Sequence, residues 1–247
     1  MSTNVLITGG TSGIGLATAE QFVRHGYSVM ICGRDPDRRQ AAEKQLQQLA
    51  QQWGRKHADQ PEVVVASLPC DLKDVQQCSD LADKAIALLG SVDILINNAS
   101  AAPLCDFENT SIEDFEHVLS VNLRATWTLT QKIWKDMAKA KQGIVVNISS
   151  MAAIDPFTGF SLYGASKGWI ETWTKALADE GQRKGIRVYG IRPGAVETPM
   201  LRRLFPDYPA QQCVAPTEIA EAIFDLAIHQ SHPPGTILTV QRTSNPS

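Results

Sequence analysis

The chain has 247 residues, 43% hydrophobic and 20% charged, with a formal net charge of -3. That balance suits one globular domain spanning 1–247 and gives no reason for a second. The mild acidity offers no electrostatic footprint for nucleic acid or an anionic membrane, so neither is an expected partner. Five cysteines, Cys32, Cys70, Cys78, Cys105 and Cys213, are odd in number, widely spaced and without a CxxC pair. Free thiols in a reducing compartment are expected, rather than a zinc site or a disulfide framework. A strand-like run, Val5–Thr8, starts almost at once and leaves no room for a removable leader. No apolar run approaches the ~20 residues that span a bilayer, so the expected location is the cytoplasm.

Short Val- and Ile-rich runs alternate with helical patterns along the chain. Val5–Thr8 leads through a glycine cluster into a helical stretch. Ser28–Cys32 follows, then a helix over Asp35–Trp53 with Pro36 near its start, where a missing N–H does no harm. A third strand is expected over Glu62–Ser67, and a helix over Asp74–Leu89 that Gly90 would cap. Val92–Asn97 reads as the fourth strand and Thr110–Lys139 as one long helix opened by Ser111. Ile144–Ile148, a helix over Tyr163–Lys184 ending before Gly185, Ile186–Ile191, a helix over Thr217–Ile228 and Thr236–Val240 complete the pattern. The short polar tail after Val240 is expected to fray. Several strands are apolar throughout, as a parallel sheet covered on both faces requires. The fold class is therefore α/β, a doubly wound parallel sheet of about seven strands in a single domain. Ligands of such sheets sit beyond the carboxyl ends of the strands.

The first strand ends in Thr8-Gly9-Gly10-Thr11-Ser12-Gly13-Ile14-Gly15. Glycines permit a tight turn and let the backbone approach a pyrophosphate, and the following helix offers free N–H groups and a positive dipole end. The spacing is G-x-x-x-G-x-G, and a tight strand-to-helix turn would need glycine anyway. The second strand ends in Gly33-Arg34, 20 residues after Gly13, where an acidic residue would hold an NAD ribose. A guanidinium there can pair with a 2′-phosphate, so NADP(H) is the expected cofactor, with NAD(H) the alternative. The competing reading of Arg34 is an exposed residue opening a helix, and Asp35 would repel a phosphate if it faced inward. Asp71, followed by Leu72, reads equally as an acceptor for an adenine amino group or as a helix cap. Asn98 and Ala99, in Asn97-Asn98-Ala99-Ser100, can line a groove and tie loops together, and are also ordinary turn formers.

Ser150 lies at the carboxyl edge of the fifth strand. Tyr163 and Lys167, four positions apart, share one helix face. Carbonyl reduction needs a hydride for carbon and a proton for oxygen. A free tyrosine, with a pKa of about 10, is a poor proton exchanger at neutrality, and a neighbouring ammonium would lower that value. Tyr163 then acts as general acid or base, Lys167 tunes it and holds the nicotinamide ribose, and Ser150 donates to the carbonyl oxygen. Asn122 either holds a water between Lys167 and solvent or satisfies buried backbone groups.

Together these segments resemble the classical short-chain dehydrogenase/reductase family over nearly the whole chain, Thr8 to about Val240. The matching pieces are TGGTSGIG, Asp71, NNAS, Asn122, the second serine of NISS, Tyr163-Gly-Ala-Ser-Lys167 and Arg192-Pro-Gly-Ala-Val-Glu-Thr198. The resemblance implies a Rossmann-type sheet ordered 3-2-1-4-5-6-7 and a tetrad of Asn122, Ser150, Tyr163 and Lys167. It also implies a loop, Pro193, Gly194, Val196 and Thr198 among its residues, that clasps the nicotinamide. A substrate lid is expected around 195–216. Homodimers or homotetramers joined through the two long helices are implied, with Trp127, Trp134, Trp169 and Trp173 on them either at an interface or in the core. Two departures stand out: NNAS in place of NNAG, and an ending, PPGTILTVQRTSNPS, unlike that of many acyl-carrier reductases. The expected partner is a small carbonyl or alcohol, a 3-oxoacyl thioester being one candidate. Arg202 and Arg203 read either as anchors for an acidic substrate or as solvated charges. A non-catalytic dinucleotide sensor or scaffold is the alternative function. An extended sugar-nucleotide epimerase would need a larger carboxyl-terminal region.

Overall fold

The computed structural model describes residues 3–242. Its strands are β1 (Asn4–Thr8), β2 (Ser28–Gly33), β3 (Val65–Pro69), β4 (Ile94–Asn97), β5 (Gly143–Ile148), β6 (Ile186–Pro193) and β7 (Ile237–Val240). Its helices are α1 (Gly13–Arg24), α2 (Pro36–Lys56), α3 (Val75–Leu89), α4 (Ile112–Val118), α5 (Ala125–Ala140), α6 (Ser161–Gln182), α7 (Pro199–Leu204) and α8 (Pro216–Phe224). The strands form one parallel sheet in the order β3-β2-β1-β4-β5-β6-β7. This is the doubly wound, Rossmann-type order. β1 pairs with β2 on one side and β4 on the other, and a cleft opens at that switch point.

Alternation along the strands feeds two cores. Val5, Ile7, Val29, Ile31, Ile94 and Ile96 pack with Phe22, Leu46 and Phe224 on one face. Leu6, Met30, Leu95 and Val145 pack with Leu81, Leu129 and Ile133 on the other. Helix ends follow their cap chemistry. Asp35 accepts from Asp37 N and Arg38 N ahead of Pro36, and Ser111 accepts from Asp114 N. Gly90, at φ 84, donates its N–H to Ile86 O and ends α3.

Three elements differ from expectation. The third strand lies at Val65–Pro69, because β2 sets its register through Val29↔Val65 to Gly33↔Pro69. It is an edge strand, where a proline costs no inner ladder bond. The long helix expected over Thr110–Lys139 is broken by a wide π-type segment, Leu119–Arg124, that carries Asn122. The last helix finishes in another such segment, Asp225–His229. Most of the polar tail, 243–247, lies outside the described residues. Arg242 just before it is held by Glu218 and by the Cys213 carbonyl. Among the described residues no helix is long and apolar enough to cross a membrane, and no group of His, Cys, Asp and Glu could hold a metal. All five cysteines are unpaired.

Candidate active site

A cleft of about 1850 Å³ runs along the carboxyl ends of the strands. Of the residues expected in the site, all but Gly15 and Asn122 line it. Gly15 lies just behind the loop, where a Cβ would come within 2.4 Å of Gly9 O. Gly9 and Gly13 hold φ of 65° and 54°, a region that favours glycine. Asn98 clamps this loop, its Nδ2 donating to Thr8 O at 2.9 Å and Gly9 O at 3.2 Å. Ser12 precedes α1 without a side-chain cap, and no acidic residue occupies the first turn. The first N–H groups of α1 therefore face the cleft unneutralised, and the loop leaves room that a Cβ would fill. This donor set suits a pyrophosphate.

At the second strand's end, Gly33 makes space for Thr11, whose Cγ2 would lie 2.6 Å from a Cβ. The Asp35 carboxylate is engaged with the α2 backbone and lies 3.5 Å from Arg38, rather than reaching for a ligand. Arg34 is exposed on the cleft wall. Asp74, not Asp71, caps α3. Asp71 uses one oxygen to accept from Lys73 N and borders the cleft with Leu72. On the far side Gly194 N donates to Val240 O, Val196 bridges to Val214, and Thr198 caps α7 while facing Gly13.

Tyr163, Lys167 and Ser150 meet at the cleft floor. Burial raises the Tyr163 pKa above 10, while the facing hydroxyls of Ser150 and Ser100 pull it down. Lys167 is buried, its Nζ donating to Ile148 O at 2.8 Å, and burial lowers its own pKa to about 8. The lysine lies 5.6 Å from the Tyr163 ring centroid. The expected lowering of Tyr163 by an ammonium thus yields to desolvation of both groups. Tyr163 therefore stands protonated at neutral pH.

Asn122 has no capacity left for a water on its side chain. Its Nδ2 donates to Ala101 O and Ser166 Oγ, both at 2.9 Å. Its Oδ1 accepts from Ala101 N at 2.7 Å and Ser100 Oγ at 3.3 Å. Asn122 therefore ties the loop after β4 to α6, its amide bonding to backbone at Ala101 and to the Ser100 and Ser166 hydroxyls.

Several participants escaped the sequence. Ser100 reads there only as part of a groove-lining segment and as a departure from NNAG, yet its hydroxyl faces Tyr163. Glu171 binds Arg192 through both guanidinium arms, at 2.8 and 2.6 Å, and accepts from Ser149 Oγ at 2.8 Å. A lone arginine ending an apolar strand signals a need for such a partner. Arg202 is paired with Glu197 and donates to Tyr208 O at 2.6 Å, so it braces the lid. Cys105 does not line the cleft.

Residues 3–209 match the family model described as short chain dehydrogenase. An acetoacetyl-CoA reductase of Acinetobacter sp. is 34% identical over 246 residues, covering 95% of this chain and 94% of the relative. A 3alpha-hydroxysteroid dehydrogenase of Mediterraneibacter gnavus is 30% identical over 244 residues, covering 95% and 94%. The structure of an actinorhodin polyketide ketoreductase with NADPH superposes with a TM-score of 0.87, at 27% identity over 97% of this chain and 96% of the other. The chain belongs to the short-chain dehydrogenase/reductase family, oxidoreductases that act on CH–OH and C=O groups.

Proposed function

We propose that this chain is an NADP(H)-dependent reductase that interconverts a carbonyl and its alcohol, with Tyr163 as the general acid/base. The observation that carries the reading is the buried Tyr163 hydroxyl at the cleft floor, facing Ser150 and Ser100, with Lys167 one turn away. The glycine loop and the open start of α1 fit the pyrophosphate, and Arg34 fits the 2′-phosphate. A bound nicotinamide supplies or accepts the hydride. Tyr163 delivers its proton to the carbonyl oxygen in reduction and takes it back in oxidation. Ser150 donates to the same oxygen, where negative charge develops. Lys167, pinned to Ile148 O, is placed to hold the ribose. Asn122 and Ser100 fix the loop that positions Tyr163's neighbours. The span 195–216 is the substrate lid, its two ends joined where Val214 N donates to Ala195 O at 2.8 Å and Glu197 N to Val214 O at 3.0 Å.

The protein works in the cytoplasm as a homodimer or homotetramer. Exposed Ile112, Phe115 and Trp127 on α4 and α5, and the stacked Trp169 and Trp173 of α6, support the assembly. The test is consumption of NADPH or NADH by purified protein against a panel of ketones, diketones, quinones, aldehydes and oxoacyl thioesters. Turnover with NADPH is expected. Tight NADPH binding with silence across the panel would favour the non-catalytic sensor.

A further inference from the structure

Beyond the Tyr163 hydroxyl, the cleft is walled by two segments: the loop from Met151 to Phe160, and the lid from Pro199 to Phe205. Three phenyl rings meet there. Phe160 lies 4.6 Å from Phe157 and 5.8 Å from Phe205, and Phe157 lies 5.7 Å from Phe205, centroid to centroid. The same Phe160 ring stands 5.0 Å from the Tyr163 ring. Met200 and Leu204 pack against this group.

Phe157, on this wall, is 51% exposed. Large apolar side chains left open around a concave site mark a place that an apolar ligand covers. The charged side chains that these two segments turn to the cleft are Asp155 and Arg203, opposite in sign. Arg202 is withdrawn into its pair with Glu197. A phosphate-bearing thioester or an acidic carrier would want a cationic mouth, and this one is balanced. Flat aromatic walls favour a flat partner, through offset-stacked and edge-to-face contacts.

We infer that the substrate is an uncharged, ring-bearing ketone or its alcohol, seated against Phe157 and Phe205 with its oxygen on Tyr163 and Ser150, and not an oxoacyl thioester. This rests on the oxidoreductase reading above. The net step is ketone plus NADPH and a proton giving alcohol and NADP⁺. The carbonyl carbon gains the hydride, its oxygen takes the Tyr163 proton, and solvent restores that proton.

Two measurements test it. The first is kcat/KM with NADPH for α-tetralone, for an open-chain octanone and for acetoacetyl-CoA. The second is calorimetric binding of α-tetralone to the Tyr163→Phe protein loaded with NADP⁺, which reads the wall apart from the chemistry. The ring ketone should be favoured by at least about tenfold over both others. Phe157→Ala should weaken its binding about tenfold, the worth of an aromatic contact plus lost burial. Phe205→Leu should weaken it in the same direction. Faster turnover of the thioester or the octanone would overturn the substrate class and leave the oxidoreductase reading intact. Binding of α-tetralone indifferent to Phe157→Ala and Phe205→Leu would overturn it as well. Turnover of no probe by a protein that binds NADPH would overturn the substrate class and the oxidoreductase reading together.

Discussion

Lys167 has a cost that can be measured. Burial holds its pKa at about 8 against an ordinary 10.5. At ~1.4 kcal/mol per tenfold, that difference amounts to about 3 kcal/mol. The folded value lies below the unfolded one, so the folded chain binds fewer protons between these two pH values. Stability from this group is complete above 10.5 and is lost as pH falls to 8. At neutral pH the whole penalty applies. Lys167→Met removes the charge, keeps an unbranched stem and loses the bond to Ile148 O, worth about 1 kcal/mol. The variant should therefore be more stable than the parent by about 2 kcal/mol at pH 7 in urea unfolding, although it should lose activity. The advantage should shrink steadily as pH rises toward that of a free lysine. A variant less stable than the parent at pH 7, or an advantage that ignores pH, would show that Lys167 carries no such burial penalty.

Arg34→Ala should weaken NADPH binding about tenfold and leave NADH binding nearly unchanged, read by fluorescence titration. Ser100→Gly removes a hydroxyl that lowers the Tyr163 pKa, so the alkaline limb of alcohol oxidation should move to higher pH, with a neutral rate reduced about 3- to 10-fold. Glu171→Gln breaks a buried ion pair and should cost about 3 kcal/mol in thermal or chemical unfolding. Burial alone would raise the Glu171 carboxyl, but Arg192 and Ser149 outweigh it and hold it below 4.5. The parent's contribution from this pair is thus present above pH 4.5 and lost as pH falls below it, so the gap between parent and variant should narrow in acid.

The fold was legible because its strands are short, apolar and separated by amphipathic helices, a pattern with few alternatives. The third strand starts three residues and ends two residues later than expected because register belongs to the pairing with β2, and Leu68-Pro69 reads locally as a stop. The wide turn at Leu119–Arg124 left no mark in the hydrophobic period. It places Asn122 where it makes four bonds, to Ala101, Ser100 and Ser166, and those partners are remote in sequence. The candidate residues Ser150, Tyr163 and Lys167 could be read from type and spacing, because each sits at a strand end or on one helix face. Their protonation could not, since it depends on how deeply the loops bury them. Asp35 and Asp71 were ambiguous for a related reason: a carboxylate beside a helix start either caps or binds, and only the backbone geometry decides.

The role of Tyr163 is tested most directly by NADPH oxidation by the parent protein and by Tyr163→Phe, run side by side on the best carbonyl substrate, with NADPH affinity measured in both. Turnover should fall by at least about 10²-fold while NADPH binding is unchanged. Near-parental turnover by the phenylalanine variant would contradict that role.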